Sequence, residues 1–298
     1  MAVIAPDPVP AVSRRRELGL SSARSLLLTV LGEYVLPSDE PVWTGTLVAA
    51  LGLLGVAEKA ARQALARTAA EGWITSSRHG RLARWQLSDA GRQLLTDGAQ
   101  RIYSFGQDGP AWDGRWLIVL VRAPDLSAQT RHRVRTRLAW AGFGALPGGV
   151  WVSPDPRREP EAARILDELG LRDAGASFIA SFGGIGAQED LVSQAWDLRE
   201  VERRYEEFIT AFEPLRPAGD EEILIAQTML VHEWRRFPFL DPRLPRDLLP
   251  ETWQGADAAA LFGSRHAQWQ AGATRCWARL ASGVDDQAVF VRRGATPA

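Results

Sequence analysis

Eight side chains between positions 59 and 84 could donate hydrogen bonds to an anionic or base-bearing partner. They are Lys59, Arg62, Gln63, Arg67, Arg78, His79, Arg81 and Arg84. Guanidinium, ammonium and amide groups bind phosphate oxygens and the acceptors on base edges. Over residues 56–87, six Lys and Arg residues stand against only two carboxylates, a local net charge of +4. This chemistry predicts an interaction with double-stranded DNA.

The first four of these donors fall on one side of a predicted helix over residues 57–71. Ala61, Leu65, Thr68 and Ala69 recur at helical spacing and form an apolar stripe, so Lys59, Arg62, Gln63 and Arg67 face outward. A helix that reads the major groove needs one apolar side that packs against the rest of the domain and one exposed side that is rich in hydrogen-bond donors. The alternative is a solvated basic face of a small helical domain.

The predicted helices and strands on either side of this helix follow one another in an order that is typical of a known domain type. Helical patterns cover residues 22–36 and 44–51, and two short strands at 73–76 and 83–87 flank a glycine-containing tip that carries Arg78, His79 and Arg81. A further helix begins after Ser88 and reaches residue 103. Three helices, a hairpin and a helix predict a winged helix-turn-helix domain over 22–103, whose hairpin approaches the DNA backbone or minor groove.

Residues 1–21 read as a flexible tail, with prolines and then the triplet Arg14-Arg15-Arg16. The triplet follows the start and does not precede an apolar stretch, so we expect no signal peptide. It could enter a minor groove as an arm, or it could be solvated. The most apolar early stretch contains Arg24 and Glu33, which argues against a membrane span.

The middle of the chain alternates strand and helix patterns and predicts a ferredoxin-like α/β domain over 112–186. The strands are expected at 116–121, 149–152 and 176–182, and the helices at 126–140 and 159–169. The first helix contains four arginines at alternate positions, too dense for a core, which we interpret as a solvated or interdomain face. These are Arg131, Arg133, Arg135 and Arg137. Residues 104–113 read as a linker.

Residues 189–298 are predominantly helical, with a proline-rich interruption at 237–250, and are expected to form a C-terminal domain. The fold class is therefore α+β. Basic residues beside the interruption, with interleaved Phe and Leu, could hold an aryl group and the phosphates of coenzyme A. They are His232, Arg235, Arg236 and Arg243. The alternative is bracing, with the arginines paired to Glu233, Asp241 and Asp247.

Composition excludes several other classes. The 298 residues are 46% hydrophobic and 24% charged, with 35 basic against 36 acidic residues, which indicates a globular chain without bulk polyanion affinity. One cysteine, Cys276, and four scattered histidines form no disulfide framework and no zinc motif. No phosphate-binding loop or nucleophile motif occurs. We expect no metal, no cofactor and a cytoplasmic location.

Several segments carry a resemblance to a known family. SARSLLLTVLGEYVLP at 22–37, VWTGTLVAALGLLGV at 42–56 and ARQALARTAAEGWI at 61–74 resemble the winged-helix part of the phenylacetic-acid-degradation repressor family, PaaX. WDGRWLIVLV at 112–121 and GGVWVSP at 148–154 are similar to its central domain. HEWRRFPFLDPRLPRDLLPETW at 232–253 resembles its C-terminal signature, the most specific of these matches.

The resemblance implies a dimeric transcriptional repressor of aromatic catabolism that binds an inverted-repeat operator. Phenylacetyl-CoA or a related acyl-CoA thioester would release it. The family's central domain resembles the Cas2 fold, which can be a metal-dependent nuclease, but here Arg122 stands where a metal site would need a carboxylate. A nuclease, a CoA-ester hydrolase or an interaction scaffold without DNA binding are the alternatives.

Overall fold

The computed structural model describes residues 22–106, 111–122 and 127–293, with side chains up to residue 283. The tail with Arg14, Arg15 and Arg16 lies outside the described residues, as does part of the expected linker. The chain forms two compact units. The first comprises residues up to 105 with 208–236 and 259–298, and the second comprises 106–207 with 237–258.

The first unit begins with a helix that widens at its end. Helix α1, Ala23–Val30, starts at Ser22, whose side chain accepts a hydrogen bond from the backbone N–H of Ser25 at 3.1 Å. The chain then makes one π-helical turn, Leu31–Val35, in which the N–H of Leu36 donates to the carbonyl of Leu31. No apolar spacing in the sequence predicts this wider turn.

The next elements follow the predicted order. Strand β1, Val42–Trp43, precedes helix α2, Thr44–Leu53, and helix α3, Glu58–Ala70. Strands β2, Ile74–His79, and β3, Leu82–Leu87, form an antiparallel hairpin, and β1 pairs with β3 to give the sheet order β1-β3-β2.

Helix α4, Asp89–Tyr103, starts close against the hairpin. Ser88 caps it by accepting from the N–H of Gly91 at 3.0 Å. A Cβ atom at Gly91 would lie only 1.9 Å from the carbonyl oxygen of Trp73, so this contact requires glycine. The close approach fixes the first turn of α4 against the strand that leads into the hairpin.

The core of the first unit combines both ends of the sequence. Helix α8, Leu198–Phe212, belongs to the second unit up to residue 207 and to the first from residue 208. Helices α9, Asp220–Trp234, and α11, Gly255–Arg293, bring C-terminal residues into the core of the first unit. Leu224, Ala273 and Cys276 are buried in the same apolar cluster as Leu27, Leu47 and Leu65. Tyr34 stacks on Trp277 with ring centroids 5.1 Å apart, and its hydroxyl lies 3.0 Å from Thr228 Oγ1. The segment 189–298 thus contributes to both units.

The second unit contains a ferredoxin-like β-α-β-β-α-β motif. Its elements are β4, Arg115–Val121; α5, Ala128–Trp140; β5, Gly144–Leu146; β6, Val150–Ser153; α6, Glu159–Glu168; and β7, Gly175–Ser181. The antiparallel sheet has the order β5-β6-β4-β7. The predicted α+β fold class and ferredoxin-like centre are confirmed, with one strand, β5, that the sequence pattern does not predict.

The second unit also holds the proline-rich segment. After helix α7, Gln188–Ala195, the chain returns through the short helix α10, Phe237–Leu240. Phe237 stacks on Tyr205 at 4.3 Å between ring centroids, and the Tyr205 hydroxyl donates to Asp241 Oδ2 at 2.6 Å. Burial raises the pKa of Asp241 against the opposing effect of this hydrogen bond.

Candidate nucleic-acid interface

Helix α3 has one buried side and one exposed, donor-rich side. Ala61, Ala64, Leu65 and Thr68 are buried, and the Thr68 hydroxyl donates to the carbonyl of Ala64 at 2.8 Å, so its polar group is satisfied within the helix. The five outward positions are exposed, as their spacing predicts. They are Lys59, Arg62, Gln63, Ala66 and Arg67.

The exposed donors differ in whether they form an ion pair with a carboxylate. Arg62 is paired with Glu58 one turn earlier, with its Nε 2.9 Å from Oε1 of the carboxylate. Within the described part of the chain, Lys59 and Arg67 have no carboxylate at ion-pair distance. Lys59, Arg62 and Gln63 also line a shallow open depression on this surface. Arg67 and Lys59 can therefore bind a polyanion without first breaking a salt bridge.

The hairpin carries its exposed basic residues at the tip. Gly80, with a φ of 64°, and Arg81 form the two-residue turn between β2 and β3. A positive φ at the first turn position alone favours glycine there and matches the twist of the two strands. Arg78, His79 and Arg81 are all exposed. The strands continue directly up to this turn, so the hairpin is longer than the sequence pattern predicts.

Arg84 is held against the sheet rather than projecting freely from it. Its guanidinium carbon lies 4.0 Å from the ring centroid of Trp43, its neighbour across the β1–β3 pair. Trp43 also meets the ring of His79 edge-on, with centroids 5.7 Å apart. The three side chains are in mutual contact through Trp43, a residue that the sequence pattern did not single out.

Two of the four C-terminal candidates contact helix α1. His232 is buried, with Nδ1 3.0 Å from Thr29 Oγ1, and the Thr29 hydroxyl itself donates to the carbonyl of Ser25. Arg235 donates to the Ser25 hydroxyl. Burial, reinforced by Arg235 and Arg236, lowers the pKa of His232 to about 3, so the imidazole is neutral at physiological pH.

The other two candidates lie in different units. Arg236 pairs with Glu233 at 2.7 Å in the first unit, whereas Arg243 belongs to the second. The backbone of Arg243 has a φ of 58°, and its N–H donates to Asp241 Oδ1 at 2.6 Å. Of the pairings weighed from the sequence, the structure contains that of Arg236 with Glu233.

The described residues form neither a metal centre nor a membrane span. Among them, no group of three or more His, Cys, Asp or Glu side chains is placed to hold a metal ion. None of their helices is both long and apolar enough to cross a membrane.

Three family models match the chain in succession. The model of the PaaX-like protein matches residues 22–91, and that of the PaaX protein central Cas2-like domain matches residues 109–192. The model of the PaaX-like protein C-terminal domain matches residues 196–279. The first match contains α3 and the hairpin, and the third contains His232, Arg235, Arg236 and Arg243.

Two individual proteins extend the comparison. The transcriptional repressor PaaX of Escherichia coli strain K12 is 36% identical over 251 residues, which cover 80% of this chain and 78% of that protein. The solved structure of the uncharacterized protein Rv0674 from Mycobacterium tuberculosis superposes with a TM-score of 0.60 and 23% identity. It covers 86% of this chain and 98% of its own, which establishes a shared fold.

Proposed function

The chain belongs to the PaaX-like protein family, and from that premise we propose that it is a DNA-binding transcriptional repressor and not an enzyme. One observation carries the proposal. Helix α3 exposes Lys59, Arg62, Gln63 and Arg67 while its opposite side is buried in the core of the first unit. This is the arrangement that a major-groove reading helix requires.

We assign each side chain a role in DNA binding from its hydrogen-bonding groups and its position. Gln63 and Arg62 read base edges, because an amide and a guanidinium can form two parallel hydrogen bonds with adenine and guanine respectively. Lys59 and Arg67 contact phosphates. Arg78 and Arg81, at the hairpin, add backbone contacts, and Arg84 holds Trp43 and His79 in place behind them.

A footprint on the DNA upstream of the protein's own gene neighbours tests the proposal. We expect protection of a defined site, with affinity reduced at least about tenfold in Arg67→Ala, corresponding to about 1.4 kcal/mol. Gln63→Ala should change the preferred base at one position of each half-site. Arg164→Ala, which removes an exposed arginine paired with Glu168 in the second unit, is the matched control.

The proposal fails if gel-shift titrations give Arg67→Ala and Gln63→Ala the affinity and base preference of the wild type. Absence of any sequence-specific protection would favour the scaffold alternative. DNA cleavage abolished by a chelator would favour the nuclease.

We further propose that the protein acts as a homodimer on an inverted repeat. Two copies of α3 related by a twofold axis would meet half-sites separated by one helical turn, about 10–10.5 base pairs, or a multiple of it. Light scattering of the purified complex should give two protomers per duplex. One protomer per duplex at saturation would exclude this assembly.

The proposed effector is phenylacetyl-CoA or a related acyl-CoA thioester, and the candidate contacts are His232, Arg235 and Arg236 in the first unit and, considered separately, Arg243 in the second. Family membership supports this part. The contacts of His232 and Arg235 with α1 suggest how the signal travels, because a ligand that takes over either side chain would release Thr29 or Ser25. A tenfold loss of operator affinity needs only about 1.4 kcal/mol of coupling.

Titration of the operator complex with phenylacetyl-CoA tests this step, with free coenzyme A and phenylacetate as controls. We expect release by the thioester alone. Arg236→Ala should weaken the response while operator affinity without effector stays at the wild-type value. A normal response in Arg236→Ala and Arg243→Ala together would leave these residues with a structural role only.

A further inference from the structure

Helix α5 of the second unit has the largest net positive charge of any helix in the described part of the chain. Between Ala128 and Trp140 it contains four arginines and no acidic residue. Only Val134 and Leu138 are buried, so the helix attaches to its unit by a narrow apolar edge. Arg131, Arg133 and Arg135 are exposed, and the neighbouring His132 is exposed as well.

The charges of these arginines are not neutralised within the described residues. Arg137 pairs with Glu168 at 2.6 Å, but no carboxylate of a described residue lies at ion-pair distance from Arg131, Arg133 or Arg135. Four other exposed arginines of the same unit do have such partners. The pairs are Arg115–Asp113, Arg164–Glu168, Arg172–Asp167 and Arg203–Glu200. In a chain of net charge −1, α5 is therefore a local concentration of unneutralised positive charge.

The spacing of the arginines makes this arrangement costly for the isolated protein. Arg131 and Arg135 are one turn apart on one side of the helix, and Arg133 and Arg137 are one turn apart on the other. Like charges at this spacing repel and destabilise a helix. A partner that carries regularly spaced negative charges would relieve the repulsion along the whole helix.

Duplex DNA is such a partner. It carries one negative charge for about every 1.7 Å of its axis, and the four arginines span a rise of about 9 Å, a length of duplex that presents on the order of five charges. Exposed Lys and Arg without an acidic partner among the described residues also occur on α3 and the hairpin, at Lys59, Arg67, Arg78 and Arg81. The same electrostatic feature thus recurs on both units.

We propose that α5 is a second DNA-binding surface, which contacts the phosphate backbone without reading sequence. The inference rests on the proposed function, because it assigns a further contact to the same protein–DNA complex. It predicts that the operator complex includes phosphates beyond those bound by α3 and the hairpin, and that the second unit contributes directly to affinity.

The salt dependence of binding tests the proposal. The variant Arg131→Gln/Arg133→Gln/Arg135→Gln is compared with Arg164→Gln/Arg172→Gln/Arg203→Gln, which removes the same charge from exposed, ion-paired positions of the same unit. Binding to the operator and to a non-specific duplex of equal length is measured at several salt concentrations, and melting curves verify that both variants are folded.

The slope of log K against log salt is negative, and each phosphate contact contributes about −0.9 to it. We therefore expect the slope of the α5 variant to be less negative than that of the wild type by about 2.7. Between about 50 and 200 mM salt, the wild type should then lose about 40-fold more affinity than the variant. The loss should be equal on both duplexes, which leaves the preference for the operator unchanged. The control should keep the wild-type slope. If the triple α5 variant does not fold, Arg133→Gln alone should make the slope less negative by about 0.9.

Equal slopes for the α5 variant and the control overturn the proposal while leaving the function of α3 intact. A wild-type protein that binds neither duplex overturns both. Loss of binding to phosphatidylserine-containing vesicles, with an unchanged DNA slope, would assign α5 to an anionic membrane surface and would also overturn the proposal.

Discussion

At the scale of single residues, the buried His232 links the two ends of the sequence through one hydrogen bond. Its imidazole is neutral because burial and the nearby Arg235 and Arg236 lower its pKa to about 3, whereas an unfolded histidine has a pKa of about 6.5. The folded state therefore binds this proton less readily than the unfolded state does. The contribution of His232 to stability is complete above about pH 6.5 and declines as the pH falls towards 3.

We predict that the free energy of unfolding falls by up to about 1.4 kcal/mol per pH unit between pH 6.5 and 5 on account of His232. Chemical denaturation at several pH values measures it. His232→Gln should lack this part of the slope, and His132→Gln, which alters an exposed histidine, serves as the control. A His232→Gln variant with the wild-type pH dependence would show that folding does not lower the pKa of His232.

Sequence reasoning at this scale identified which residues of α3 face outward but not what each one touches. The spacing of Ala61, Leu65 and Thr68 is a helical periodicity and can be read directly. The stacking of Arg84 on Trp43 depends on the register between β1 and β3, two strands separated by 38 residues, and no local pattern encodes that register.

At the scale of elements, the hairpin and α3 present different chemistry to the same proposed partner. The hairpin exposes Arg78 and Arg81 beside a glycine turn and carries no exposed amide opposite them, so it suits phosphates more than base edges. Helix α3 combines amide and guanidinium groups. Substitutions in the hairpin should therefore change affinity alone, whereas substitutions on α3 should also change base preference.

We predict that Arg81→Ala weakens binding to operator and non-specific duplexes by the same factor. The slope of log K against log salt should become less negative by about 0.9, as expected for one lost phosphate contact. Fluorescence anisotropy over a salt series measures both quantities. Arg115→Ala, in which the lost arginine is paired with Asp113, should leave the slope unchanged. A changed base preference in Arg81→Ala would place the hairpin tip at base edges instead.

Element prediction succeeded where the periodicity was long and failed where it was short. The helices and paired strands of both units follow apolar patterns of period 3.6 or 2, which the sequence displays. Strand β5 has only three residues and includes a glycine, so it carries no pattern. In the π-helical turn at Leu31–Val35 the backbone hydrogen bond spans five residues, from Leu36 to Leu31, and not four as in an α-helix. The spacing of the apolar residues does not reveal this difference.

At the scale of the whole molecule, the segment expected to form a separate C-terminal domain contributes to two units. Leu224, Ala273 and Cys276 complete the core around α1, α2 and α3, while residues 237–258 belong with the ferredoxin-like motif. Apolar stripes on α9 and α11 show that these helices are partly buried, but a stripe does not identify its partner. This division could not be predicted from the sequence.

We predict that Leu224→Ala lowers the free energy of unfolding by about 2–5 kcal/mol, because it removes a fully buried side chain from the shared core. Leu215→Ala, at a half-exposed position of the same unit, should change it by less than about 0.5 kcal/mol. Thermal and urea denaturation provide the measurement. Equal stability of the two variants would mean that α9 adds little to that core.

The discontinuous first unit has a consequence for the way in which the protein is made. Synthesis must continue about 170 residues beyond position 106 before Cys276 exists to fill its place beside the N-terminal helices. At about 5–20 residues per second, this leaves the proposed operator-reading helix without its complete support for roughly 10–35 seconds on the ribosome. A nascent chain interrupted during that interval would lack part of the core behind α3, and competence for gene control would be acquired only near the end of translation.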